Sequence, residues 1–246
     1  MGAMELEENT VQIRDDFDPD KILESGQCFR PRKQAEGWYR FVSGRQLLYL
    51  RPLRSGTYTV RCEPGAWETF WHGYFDLGRS YAALRGKLDS RDDFLQRAME
   101  YGRGIRVLRQ DRWEALCSFI ISQNNNIKRI KGIIERLCRL LGQPIGDSGF
   151  FSFPTPEKLA GVTADQLAPL RCGFRARYLI DAAQRVRSGQ VRLDAIPSMP
   201  LEEARRELMQ ICGVGPKVAD CVLLFGFHRL ECCPIDVWMK RVFAVL

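Results

Sequence analysis

No stretch of this sequence approaches the run of about 18 apolar residues that a helix needs to span a bilayer. The opening from Met1 to Thr10 is acidic and lacks the basic-then-apolar pattern of a secretion signal. Histidine is nearly missing, with only His72 and His228, and no cluster of Asp, Glu and His suggests a metal-dependent nuclease. Nine cysteines stand at 28, 62, 117, 138, 172, 212, 221, 232 and 233, yet no two are spaced C-x-x-C. Neither a zinc site nor an iron–sulfur cluster therefore has its ligands, and the thiols read as reduced, mostly buried apolar side chains. There is no repeat of fixed period and no low-complexity tract. These absences lead us to expect a soluble, intracellular protein that is monomeric, avoids membranes, and works without a metal or other cofactor.

Positive charge is present, and its placement is uneven. Residues 1–100 carry 15 Lys/Arg against 16 Asp/Glu, a net of −1, whereas residues 101–246 carry 22 against 14, a net of +8. A basic half attracts polyanions, nucleic acid phosphates above all, although a merely solvated surface would have the same composition.

Patterning divides the chain in the same way. Trp38–Val42, Gln46–Leu50 and Tyr58–Arg61 are short aromatic and β-branched runs separated by glycine turns at Ser43-Gly44-Arg45 and near Ser55-Gly56. They predict a small antiparallel sheet. From about residue 66 the periodicity becomes helical. Asp111–Gln123 has apolar residues at Trp113, Leu116, Cys117 and Ile120, and Ile127–Leu141 repeats that spacing before Gly142 and Pro144. Further helices are expected at 157, 164–170, 176–188, 201–211, 217–225 and 237–246. The fold class is thus α+β: an N-terminal antiparallel β-sheet domain over 1–100, then an all-α domain over 101–246, with the boundary between 65 and 105.

The most informative segment is Ile211-Cys212-Gly213-Val214-Gly215-Pro216-Lys217. An amphipathic helix ends there, another begins at Lys217, and Gly213 and Gly215 reverse the chain between them. Such a turn leaves bare N–H groups at a helix start, an arrangement that binds phosphate, though a tight helical hairpin uses glycines for steric reasons alone. Lys217 lies in the first turn, where the helix dipole disfavours an ammonium and a depressed pKa is expected. A partly neutral amine can attack carbon and form a Schiff base. Cys221 follows one turn on, on the same face. Asp236 opens the last helix 236 − 217 = 19 residues later. There it suits an N-cap and could also stabilise an oxocarbenium-like sugar. Lysine plus aspartate is the minimum set for covalent cleavage of an N-glycosidic bond.

Gly213-Val214-Gly215-Pro216-Lys217-Val218-Ala219-Asp220-Cys221 together with Pro234-Ile235-Asp236-Val237 resembles the signature of the helix-hairpin-helix DNA glycosylases, specifically the 8-oxoguanine DNA glycosylase/AP lyase family. The resemblance implies a bifunctional enzyme that flips 8-oxoguanine, opposite cytosine, out of duplex DNA. Lys217 would attack C1′ and carry a Schiff base through β-elimination, Asp236 would assist both steps, and Cys221 would pack on the flipped base. It also implies a structural cation on backbone carbonyls near Met209, Ile211 and Val214.

Two further segments join the resemblance. Gln123-Asn124-Asn125-Asn126-Ile127-Lys128-Arg129 is by itself a polar turn, but three asparagines followed by basic residues suit the wedge that a base-flipping enzyme needs. By resemblance Asn124 fills the vacated stack, Asn125 supports it, and Arg129 reads the orphaned cytosine. Gly173-Phe174-Arg175-Ala176-Arg177-Tyr178 supplies Arg175 to the same cytosine and Phe174 as a wedge, where the family more often has tyrosine. In Ser25-Gly26-Gln27-Cys28-Phe29-Arg30 the carbonyl of Gly26 would accept the N7–H found in 8-oxoguanine and absent from guanine. Trp238 stands where many relatives have a phosphate-contacting histidine. The sequence ends ten residues after Asp236, so the resemblance calls for a further helix or another surface to complete the base pocket. The expected partner is double-stranded DNA containing an oxidised purine, in the cytoplasm beside the nucleoid or in the nucleus. The competing readings are a related glycosylase with another lesion preference and a non-catalytic hairpin module, which would have no use for Lys217 with Asp236.

Overall fold

The computed structural model describes residues 4–54, 56–88 and 91–244. Ser55 of the expected turn, the first three residues of the acidic opening and the last two residues of the expected final helix lie outside these. The chain is α+β and divides into two compact units. One comprises Met1–Arg109 and Pro144–Ser152, the other Gln110–Gln143 and Phe153–Leu246.

In the first unit five strands form one antiparallel sheet in the order β1-β5-β4-β3-β2: β1 Glu7–Gln12, β2 Arg32–Lys33, β3 Tyr39–Ser43, β4 Gln46–Arg54 and β5 Thr57–Cys62. The β3–β4 hairpin closes at Ser43↔Gln46, with Gly44 at φ 56 between them. Positive φ here matches the right-handed strand twist. β1 is an addition to the predicted strands. Its residues are polar and largely exposed, and it pairs along β5 as an edge strand.

β3 is buried at every position. On one face Tyr39 and Phe41 join Phe17, Trp71 and Phe75 in the main core, where Phe41 and Phe75 meet edge-on at 5.0 Å. On the other face Val42 and Leu47 pack with Ile145, which the returning segment 144–152 supplies. α1 Pro19–Glu24 follows β1, capped by Asp18, which accepts from the N–H groups of Asp20 and Lys21. A π-helical turn, Trp67–Trp71, runs into α2 His72–Tyr74, and α3 Tyr81–Arg85 and α4 Asp93–Gly102 complete the unit.

The second unit contains α5 Arg112–Ser122, α6 Ile127–Leu141, α7 Pro156–Ala160, α8 Arg175–Arg187, α9 Leu201–Met209, α10 Pro216–Gly226 and α11 Val237–Phe243. α5 is its centre: Trp113 to Ile121 are all buried, and it packs against α6, α8 and α10. The stretch predicted as helix over 164–170 is instead a turn ending in a short 3-10 segment, Ala168–Leu170. Pro169 removes a backbone donor there, and Arg171, at φ 53, turns the chain into the left-handed region. Among the described residues no helix is long and apolar enough to cross a membrane, and no three His, Cys, Asp or Glu side chains cluster as a metal site.

Candidate active site

The hairpin between α9 and α10 is built from inside outwards. Ile211 and Val214 are buried and hold the turn on the core, and the N–H of Val214 donates to the carbonyl of Ile211 at 3.0 Å. The N–H of Cys212 donates to Asp181 Oδ2 of α8 at 2.7 Å. The two glycines do different jobs. Gly213 sits at φ +81 against the ring of Tyr178, whereas Gly215 is extended, at φ −97, with open space where a side chain would be. α10 has no side-chain cap, so its first-turn N–H groups are bare and the positive end of the dipole faces outwards. The Ile211 carbonyl keeps a second lone pair beyond its bond to Val214. The carbonyls of Met209, Ile211 and Val214 thus suit the oxygen-ligand set that a hard cation takes.

Lys217 is the second residue of α10 and is exposed. Its Nζ stands 5.9 Å from the ring centroid of Phe119, itself stacked on Phe225 at 5.6 Å. Cys221, one turn on, is buried, and burial pushes its thiol up against the pull of the Lys217 ammonium beside it. Asp236 caps α11, where Oδ1 accepts from the N–H of Met239 at 2.8 Å, and the residue remains half-buried.

One cavity of about 580 Å³ gathers these groups. Lys217, Asp236, Asn124, Asn125 and Gln123 line it, together with Ser122, Ile235, Val237, Trp238 and Lys240. The sequence pattern pointed to the first four. Cys221 is not in its lining: it lies buried beneath, 3% exposed. Lys240 was legible in principle, since it follows Asp236 at i+4 and therefore shares its side of the helix. Trp238, which the resemblance places where many relatives have a phosphate-contacting histidine, is 69% exposed.

The three asparagines separate into distinct roles. Asn126 caps α6, accepting from the N–H of Arg129 at 2.9 Å, and Asn125 donates to the Ile121 carbonyl at 3.1 Å. Asn124 is exposed and, alone of the three, takes a left-handed backbone, φ 46, a conformation that asparagine tolerates better than most residues. Arg129 is exposed on α6, with Nη2 donating to the Arg171 carbonyl at 3.2 Å. Phe174 is 45% exposed and meets Tyr178 edge-on at 5.5 Å. Arg175, at the start of α8, is turned inwards. It is 4% exposed, and its guanidinium is turned onto the carbonyls of Cys172, Gln123 and Asn124. Gly26 belongs to the first unit, just after α1, at φ 76 with open space around it.

Residues 10–116 match the N-terminal domain of 8-oxoguanine DNA glycosylase, and residues 117–246 match the HhH-GPD superfamily of base excision DNA repair proteins. Among curated relatives, the N-glycosylase/DNA lyase of Saccharomyces cerevisiae is 40% identical over 153 residues, 56% of this chain and 41% of that protein. A probable N-glycosylase/DNA lyase of Methanothermobacter thermautotrophicus is 30% identical and covers 92% of this chain and 81% of its own length. The chain thus spans about two fifths of the yeast relative and about four fifths of the archaeal one. Among solved structures, the apo-form of the Clostridium acetobutylicum 8-oxoguanine glycosylase/lyase superposes with a TM-score of 0.91 at 34% identity, over 100% of this chain and 87% of the other.

Proposed function

The chain belongs to the 8-oxoguanine DNA glycosylase family of the HhH-GPD superfamily of base excision repair proteins, and from that premise we propose that it excises 8-oxoguanine opposite cytosine and then cuts the abasic strand. The observation that carries this reading is the cavity in which Lys217 and Asp236 share walls with Asn124. The Clostridium relative has also been solved with double-stranded DNA containing cytosine opposite 8-oxoG, in a structure matching this chain with a TM-score of 0.90.

In this reading the bare N–H groups of α10 and the basic second half bind the phosphate backbone, and Asn124 occupies the stack vacated by the flipped base. A hairpin cation held by the carbonyls of Met209, Ile211 and Val214 would add positive charge on the side facing phosphate. Asp236 stabilises positive charge developing on the sugar while the base leaves with the electrons of the glycosidic bond. Lys217 Nζ forms the new bond to C1′, and the proton it sheds passes to the departing base. The ring opens to a Schiff base, a C2′ proton is lost, and the 3′ phosphate departs as leaving group. Arg129 reads the cytosine left behind, and the Gly26 carbonyl reads N7–H of the lesion. The site of action is wherever the cell's duplex DNA lies, in the cytoplasm or the nucleus.

Sodium borohydride tests the chemistry, because it reduces a Schiff base to a stable amine. A covalent adduct on an 8-oxoguanine:cytosine duplex, absent from Lys217→Gln, is the expected result. If no adduct forms on either that duplex or an abasic one, the lysine is a phosphate contact and the catalytic reading fails. An adduct on the abasic duplex alone keeps the lyase and reassigns the lesion.

A further inference from the structure

The two residues that flank Gly26 are bonded to each other across it. Gln27 is 2% exposed, and its Nε2 donates to Ser25 Oγ at 2.9 Å and to the Arg106 carbonyl at 2.9 Å. Its Oε1 accepts from the N–H of Leu108 at 2.9 Å. Ser25 Oγ in turn donates to the carbonyl of Ile22 in α1 at 2.8 Å. One side-chain amide thus ties the end of α1 to the segment 106–108 around a glycine, all within the first unit. That segment is itself fixed, because the buried guanidinium of Arg106 donates to the carbonyls of Asp16, Phe75, Asp76 and Arg79.

Gly26, at φ 76, needs such a clamp. With no Cβ, glycine accepts either orientation of the peptide plane that follows it, so on its own the Gly26–Gln27 plane turns over at little cost. The two orientations are chemically opposite. In a planar trans peptide, one presents the Gly26 carbonyl and the other presents the N–H of Gln27. A carbonyl accepts the N7–H of 8-oxoguanine, whereas an N–H donates to the bare N7 of guanine. Turning the plane over rotates Gln27 about its own φ and pulls its amide away from Arg106 and Leu108. Two buried main-chain groups then lose their partner, a cost that holds the plane as it is.

We propose that Gln27, tied to Ser25, is a positioning residue for lesion recognition: it locks the Gly26–Gln27 peptide and so excludes the reversed plane, which would suit undamaged guanine. The assignment rests on the glycosylase reading above, in which the Gly26 carbonyl reads N7–H, and deepens it. A role exerted through that one peptide changes the choice between 8-oxoguanine and guanine. It leaves untouched the binding of a site that carries no base.

The test measures Kd of the full chain for three duplexes, each with cytosine opposite the probe. Two carry 2′-fluoro-8-oxoguanine or 2′-fluoroguanine, which resist cleavage, and the third carries a tetrahydrofuran abasic analogue. Gln27→Met keeps the volume and removes the polar bonds. It is expected to lower the preference for 8-oxoguanine over guanine about tenfold, the worth of one hydrogen bond. The 8-oxoguanine duplex binds more weakly, the guanine duplex does not, and the abasic Kd is unchanged. Ser25→Ala leaves the pairing with 106–108 in place and breaks only the tie across Gly26. It is expected to lower the same preference about threefold, and it carries the test if the methionine variant fails to fold. The double variant loses no more than Gln27→Met alone, because both changes open one clamp. A preference unchanged in either variant, or a loss shared equally by all three duplexes, would overturn the assignment. A wild-type chain with no preference for 8-oxoguanine over guanine overturns the lesion reading instead, and this assignment with it.

Discussion

The ring of Tyr178 fills the volume that a side chain on Gly213 would occupy: a Cβ there would stand 2.4 Å from Cδ2. Since Gly213 is also at φ +81, the hairpin turn and the start of α8 fit together only around a bare α-carbon. Gly213→Ala is therefore expected to lower the melting temperature by about 5–10 °C, from left-handed strain plus overpacking. Tyr178→Ala in the same chain recovers only the part due to the clash. Gly215→Ala makes the contrast. At φ −97 with nothing near its Cβ, it should melt within about 2 °C of the parent and lose DNA affinity instead, because a methyl group then shields the N–H groups of α10. Scanning calorimetry and a binding isotherm on each variant check both halves.

Asp236 carries two duties that substitution separates. Asparagine caps helices about as well as aspartate, so Asp236→Asn keeps the bond to Met239 N–H and the fold while removing the negative charge. Single-turnover base release from 8-oxoguanine DNA is expected to fall about 10²- to 10⁴-fold with little change in melting temperature. Asp236→Ala should add a loss of about 1 kcal/mol in local helix stability. Undiminished base release in Asp236→Asn would leave the residue a cap alone.

Arg129 is exposed beside the Asn124 turn, and its Nη2 donates to the Arg171 carbonyl at 3.2 Å. Arg129→Ala is expected to relax discrimination between cytosine and other opposite bases by about 1–3 kcal/mol, the range of one bidentate base contact. Comparing kcat/KM on four lesion duplexes reads this directly, and an unchanged ranking would remove Arg129 from base readout.

Buried thiols make stability depend on alkaline pH. Burial pushes Cys62 in the first unit and Cys232 in the second up to about 11, from an ordinary 9.0. The unfolded chain releases these protons near pH 9 while the folded chain retains them. Their contribution is thus complete below pH 9 and disappears as pH rises through 11. Urea midpoints should hold steady from about pH 7 to 8.5 and fall from about pH 9 onwards, and Cys62→Ala should make that fall shallower.

Much of the site was legible in the sequence because its signals are local. Lys217 and Asp236 both sit at helix starts, where glycine, proline and a capping carboxylate mark position unambiguously. The strands β3 to β5 are short aromatic and β-branched runs separated by glycine turns. What stayed hidden depends on partners distant in the chain. β1 has no apolar alternation, since an exposed edge strand needs none, and only its pairing with β5 makes it a strand. Nothing local announces that Ile145 returns to cover Val42 and Leu47. Arg175 was read by resemblance as a base contact, and no sequence pattern reveals that its donors are spent on carbonyls up to 52 residues away.

Seven of the nine cysteines are buried; Cys212 and Cys233 are exposed. The first adjoins Gly213 in the hairpin, and the second lies three residues before Asp236. The native chain thus already offers a maleimide two sites, one beside the α10 hairpin and one beside the α11 cap. A donor and acceptor dye placed there would register, in real time and without engineering, any change in spacing between the α10 turn and the α11 cap as DNA arrives.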